Sequence, residues 1–247
     1  MLKRILAGVL ALAMALSFAA CSEKKESRSK KDKETTATTD QWNSEVVIAT
    51  TAPHETEEPT VETTEPATES GFAIGTNSGN TYKSEFIGIQ CTLDANWVLM
   101  TDEEIRAQNE ATLGMLGDEY EKLLANAVNA YDMMATNVNE MDTVAILLEK
   151  LSGVNALLTE VQYIEASKDM AVAGLEQMGF TIEAADVITV QFAGAEHAAL
   201  SITGNYLGVP VYECVVAVKC GEYVACVTAC TWLENTCMDV LNLFQPI

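Results

Sequence analysis

The sequence predicts an α+β domain, a mainly antiparallel sheet with helices packed on its faces. Three observations point there. Past residue 180 the apolar runs are short and valine-rich, and they follow one another with turn signals rather than helices between them. Only one long segment, residues 160 to 178, has a helical spacing of apolar residues and a glycine stop. Apolar residues dense enough for a core are confined to residues 73–247, a length that can bury one well-packed domain. No internal repeat interrupts this pattern.

Each element has a local signal. Thr81 to Leu93 alternates in part and is expected to be strand. Asp94-Ala95-Asn96 marks a turn, after which Trp97 to Met100 resumes the strand. Thr101 followed by Asp102-Glu103-Glu104 places a cap and acids at a helix start, with the end expected near Gly114 or Gly117. Asp118 to Asn129 is expected to form a second helix. Tyr131 to Asn137 and Thr143 to Leu151 read as strands joined by Asn139-Glu140-Met141-Asp142. In the long helix, Val161, Ile164, Met170 or Ala171, Leu175 and Met178 recur at spacings of three and four, before Gly179. Four strand-like runs follow, Val187 to Phe192, His197 to Thr203, Val211 to Val218 and Tyr223 to Trp232. Asn235 to Phe244 is expected to close the chain as a helix with Cys237, Val240, Leu241 and Phe244 on one stripe.

The first seventy residues are of another kind. MLKRILAGVLALAMALSFAA has Lys3 and Arg4 ahead of an apolar run too short to favour a lipid-spanning helix. Small residues then lead to Cys21 in Phe18-Ala19-Ala20-Cys21. This resembles the bacterial lipoprotein signal, although leucine is the family's usual residue three before the cysteine. The resemblance implies that residues 1–20 are removed and that Cys21 is acylated, making it the lipid attachment site and membrane anchor. Residues 21–72 are lysine- and serine-rich (SEKKESRSKKDKE), then rich in threonine, glutamate and proline, and cannot bury enough apolar surface to offset chain entropy. They are expected to be a disordered tether, with a root-mean-square span of roughly 40 Å.

Charge narrows the function. The chain has 14 basic and 36 acidic residues, a formal net charge of −22. Residues 73–247 hold six of the basic residues against 24 acids, near −18. Nucleic-acid binding needs a basic footprint, so it is excluded as a function class. Direct adhesion of this part to an anionic membrane is disfavoured for the same reason.

Tyr82-Lys83-Ser84-Glu85-Phe86-Ile87-Gly88-Ile89, followed by Asp94-Ala95-Asn96-Trp97, resembles the opening hairpin of PsbP-like domains. Phe192-Ala193-Gly194-Ala195-Glu196 and the strand pair ending in Trp232, before a terminal helix, are similar to that family's central hairpins. Asp94 stands where a proline is usual in related exported bacterial proteins, and Ala193 where a glycine is. The resemblance implies an α/β/α sandwich acting as a binding or assembly module, and brings no catalytic residues with it.

The segment CGEYVACVTAC, Cys220 to Cys230, is the densest group of reactive side chains. With Cys220-Gly221 as the turn, Cys226 and Cys230 share one strand face about 13 Å apart, too far for a disulfide or a shared zinc. Cys214 points to the other face, and Cys237 to the apolar stripe of the last helix. The expected role of these cysteines is as small buried apolar residues, with a sheet-to-helix disulfide through Cys91 or Cys237 as the other possibility. Glu196-His197 is the one adjacent acid–histidine pair within residues 73–247, but neighbours on a strand point to opposite faces and make no dyad. Glu103-Glu104 and Asp118-Glu119-Glu121 lack the spacing of a calcium loop. Trp97 and Trp232 are expected as core anchors. No catalytic residue, cofactor or metal is expected. The function expected is a lipid-anchored lipoprotein on the extracytoplasmic face of a Gram-positive cell membrane. It would present an acidic, non-catalytic module to an envelope protein or cell-wall component. The alternatives are a small exported hydrolase with a nonstandard site and the solute-binding component of a transporter.

Overall fold

The computed structural model describes residues 72–113 and 129–247. Its centre is a seven-stranded antiparallel sheet of β4 (Trp97–Leu99), β5 (Asn129–Asn137), β6 (Thr143–Lys150), β7 (Phe180–Phe192), β8 (Ala195–Tyr206), β9 (Val209–Cys220) and β10 (Tyr223–Trp232). They lie in the order β4-β5-β6-β10-β9-β8-β7. The last four form the predicted meander, with tight turns at Ala193-Gly194, Leu207-Gly208 and Gly221-Glu222. The first two turns hold both central residues at positive φ, the twist that two-residue hairpins favour. β7, β8 and β9 are longer than their apolar cores suggest, because backbone pairing continues through polar residues at both ends.

The third turn differs from the sequence expectation. Tyr223 pairs with Cys220, so the central residues are Gly221-Glu222 rather than Cys220-Gly221. Gly221 takes the positive φ, which glycine adopts without strain. The slip moves one residue on each strand, so face parity survives: Cys214 still opposes the face of Cys226 and Cys230, now pairing with Ala229 instead of Val227. β10 is covered on both faces and buried from Tyr223 to Thr231, which explains its small side chains.

One face carries helices. α1 (Asp102–Leu113) begins as expected: the Thr101 hydroxyl accepts from the Glu104 N–H, and the Glu104 carboxylate accepts from the Thr101 N–H. Asn109 fastens α1 to β5, donating to the Tyr131 carbonyl at 2.8 Å and accepting from its N–H at 2.7 Å. The second expected helix lies outside the described residues except for Asn129, which is in β5. α2 (Glu160–Gln177) starts with a capping box between Thr159 and Gln162. Its buried residues are Tyr163, Ile164, Ser167, Ala171 and Leu175, whereas Val161 is exposed and Met178 only half-buried. The stripe is rotated toward two polar residues because both find partners. The Tyr163 hydroxyl donates to Glu149, and Ser167 donates to the Tyr163 carbonyl. Thr159→Ala removes one half of the capping box, and urea unfolding should show a loss of about 1 kcal/mol.

The other face is covered differently. A four-stranded sheet, β1 (Thr76–Ser78), β2 (Thr81–Ser84), β3 (Ile89–Thr92) and β11 (Phe244–Pro246), packs with α3 (Cys237–Leu241) into one apolar cluster with the large sheet. Trp97 is buried in that cluster, as expected. Trp232 is half-buried and packs with Phe180 and Tyr206 on the α2 side. The expected terminal helix is cut to five residues, and Phe244 instead begins a strand opposite Cys91. The Phe244 ring packs on Phe192 and Tyr82 while its backbone pairs with β3, an arrangement that a five-residue helix ahead of Pro246 cannot match. The α+β class thus holds, with two antiparallel sheets and helices. No described helix is long and apolar enough to cross a membrane.

Candidate functional site

At the end of the large sheet where β5 stops and β6 starts, a cleft of about 330 Å³ opens. Four acids line it, Asp94, Glu140, Asp142 and Asp239, with the amides of Asn96, Asn137 and Asn139. Its walls are fixed by short-range bonds typical of Asx turns. Asp94 accepts from the Asn96 N–H at 2.8 Å, and Asn137 accepts from the Asn139 and Glu140 N–H groups. Asn139 donates to the Asn96 side chain at 2.9 Å, and the Val138 N–H to the Asn96 carbonyl, joining the two loops. Asp142 is buried and accepts from the Trp232 N–H. Burial pushes its pKa up to about 6, with the nearby Glu140 charge adding to the rise and the Trp232 N–H opposing it.

No lysine or arginine lines the cleft. Nor do the acids converge: among the described residues no group of three histidine, cysteine, aspartate or glutamate side chains is placed to hold a metal ion. The cleft thus offers carboxylate and amide oxygens as hydrogen-bond acceptors.

The residues singled out in the sequence lie elsewhere. Cys21 lies outside the described residues. The six cysteines Cys91, Cys214, Cys220, Cys226, Cys230 and Cys237 are free thiols, all buried except the half-buried Cys220. Burial raises each thiol, Cys226 to about 12 and Cys91 to about 11, so they stay protonated and inert at neutral pH. His197 does have an acid partner, though not Glu196: its Nδ1 lies 3.0 Å from Glu160 at the start of α2. The same carboxylate accepts from the N–H groups of Ala198 and Lys219, so the cluster pins α2 to β8 and β9. It lies near the Lys219 end of the sheet, opposite the cleft.

Sequence reasoning missed the buried carboxyls. Asp132 is the extra residue of a bulge in β5, where it accepts from the Tyr82 hydroxyl and the Gly75 N–H. Burial still raises it to about 6. Glu149 rises to about 7 by burial despite the Tyr163 hydroxyl at 2.7 Å. Glu213, opposite Cys230, rises to about 8 by burial alone, and one of its oxygens has no partner. A signal existed, a single acid inside an apolar strand run, as in VYECVVAV and TVAILLEK.

Fold and cleft together define an α+β module with a lysine- and arginine-free acidic recess at one end of its large sheet. No family model and no curated protein matches the sequence. Among solved structures, the chain is similar to cyanobacterial PsbP (CyanoP) of Synechocystis sp. PCC 6803, with 10% identity and a TM-score of 0.39, over 74% of this chain and 99% of that one. It is also similar to LpqN, described as involved in cell envelope biogenesis in Mycobacterium tuberculosis, with 13% identity and a TM-score of 0.35, over 63% of this chain and 76% of that one. Both overlays are loose, and the function of this chain is read from its own residues.

Proposed function

We propose that this chain is a lipoprotein held on the extracytoplasmic face of a Gram-positive cell membrane by acyl groups on Cys21. Residues 22–72 then act as a tether carrying an acidic, non-catalytic module that binds an envelope protein or cell-wall component. The anchor rests on the sequence: a basic start, a short apolar run, small residues and then a cysteine followed by polar chain. The binding role rests on one observation, the cleft whose acids and amides are held in place without a cation among them. A site built this way has charge to offer a partner and none of its own to neutralise it. Labelled palmitate and membrane fractionation of Cys21→Ala provide the test. Loss of label together with release of the chain is expected, and unchanged membrane fractionation would sink the anchor.

A further inference from the structure

The cleft has an apolar border. Twelve large hydrophobic side chains are exposed among the described residues, and seven of them belong to the cleft end of the large sheet. Among those seven the most exposed are Leu207 at 85%, Leu233 at 67% and Val138 at 60%, while Leu157 and Val154, away from the cleft, are exposed at 84% and 81%. Met141, Leu233 and Val209 sit at neighbouring strand ends. The Trp232 N–H donates to Asp142, next to Met141, and the Leu233 N–H donates to the Pro210 carbonyl, next to Val209. At about 4.8 Å per strand, the row from Met141 past Leu233 to Val209 spans roughly 10 Å.

Local preference does not account for these residues. Met141, Leu207 and Leu233 have φ of 62°, 53° and 70°, a region that bulky side chains adopt at a cost of roughly 1 kcal/mol each. Glycine or asparagine would suit each position better, and an exposed side chain gains nothing from burial. An apolar row of this kind beside a polar recess has the make-up of an interaction surface.

Charge selects the occupant. Met141 stands between Glu140 and Asp142, two acids of the cleft, whereas Lys150 and Lys219 lie at the opposite end of the sheet. Lys83 and Arg106 are paired with Glu85 and Glu110. An anionic membrane would be repelled, and a second copy carries the same net charge of −22. We propose that this end of the sheet docks a polypeptide segment whose apolar side chains are flanked by lysine or arginine. The inference rests on the reading of the domain as a binding module and names its partner's chemistry.

The test uses the full chain in phosphatidylcholine nanodiscs and two labelled peptides of equal length, one of leucine and lysine, the other of leucine and glutamate. Fluorescence anisotropy should show binding of the first and not of the second, weakening as salt rises. The double variant Leu207→Ser/Leu233→Ser should bind about tenfold less tightly, as should Glu140→Gln/Asp239→Asn, which leaves the apolar row intact. Undiminished binding to both variants would overturn this surface and leave a binding module elsewhere on the domain. Absence of lysine-peptide binding to the parent chain would overturn it too. So would a dimer, or vesicle binding by the unacylated Cys21→Ala chain, that the serine variant abolishes. Loss of the anchor is read separately, by fractionation.

Discussion

Raising the pH from 5 to 9 should destabilise the domain, and Glu213→Gln should remove much of that loss. Glu213 is buried on β9 with one oxygen lacking a partner, and its pKa stands at about 8 against an ordinary 4.5. The sign follows from proton binding. Below the unfolded pKa the carboxyl is protonated in both states and its contribution is fully present. As pH rises toward 8 the unfolded chain releases the proton while the native state keeps it, so stability falls until the folded pKa is passed. The offset, at about 1.4 kcal/mol per pKa unit, amounts to about 5 kcal/mol by pH 9. Asp132, Asp142 and Glu149 are raised in the same direction and steepen the decline. Glutamine keeps the shape and stays neutral. Urea unfolding followed by circular dichroism should find the variant close to the parent at pH 5 and several kcal/mol more stable at pH 9. A difference between the two proteins that did not change with pH would refute the account.

Gly204→Val should be the most damaging single substitution in the meander. Gly204 lies in β8 between Ile182 of β7 and Val211 of β9, beside the bulge at Glu183. A Cβ there would stand 2.5 Å from the Thr181 carbonyl oxygen and 3.3 Å from the Ile182 Cα. Both are backbone atoms and cannot rotate away, so the two strands must part. A loss of about 2–4 kcal/mol is expected, with faster amide exchange at Thr181 and Ile182. Gly208→Ala is the contrast. Its φ is 84° but nothing lies within 4 Å, so it should lose only about 1 kcal/mol, the conformational share. Equal losses at the two sites would mean that crowding at Gly204 is relieved.

These two positions show what the sequence could and could not reveal. The meander was legible because valine runs and glycine-bearing turns are local signals, and α2 because its apolar spacing and its glycine stop lie close together in the chain. β11 was not, since its partner Cys91 lies far away in the chain and Asn235 to Phe244 carries an acceptable helical spacing of its own. The bulge at Asp132 has no local mark, and two adjacent residues on one face defeat any count of alternation. The acids of the cleft were scattered over a turn (Asp94), a hairpin connection (Glu140 and Asp142) and the last helix (Asp239), and only the fold brings them to one recess. His197 found its partner through tertiary packing, across 37 residues. Nothing local marks Leu207, Leu233 or Met141, since neither positive φ nor exposure is written in composition.

In the small sheet, chain order sets the order in which strands can pair during synthesis. Its outer strands are β1 and β11, so the earliest and latest described strands form its two edges. Gln90 donates to the Pro246 carbonyl across 156 residues of sequence. A chain that emerges from its N-terminus during synthesis can pair β1, β2 and β3 early. It cannot seat Phe244 between Phe192 and Tyr82 until β11 itself has emerged. Contacts this far apart in sequence form slowly. Until they do, β3 presents an open edge and the apolar face behind it is bare. Completion of the small sheet is therefore timed by the arrival of β11, and a chain truncated before Phe244 should be left with that edge unpaired.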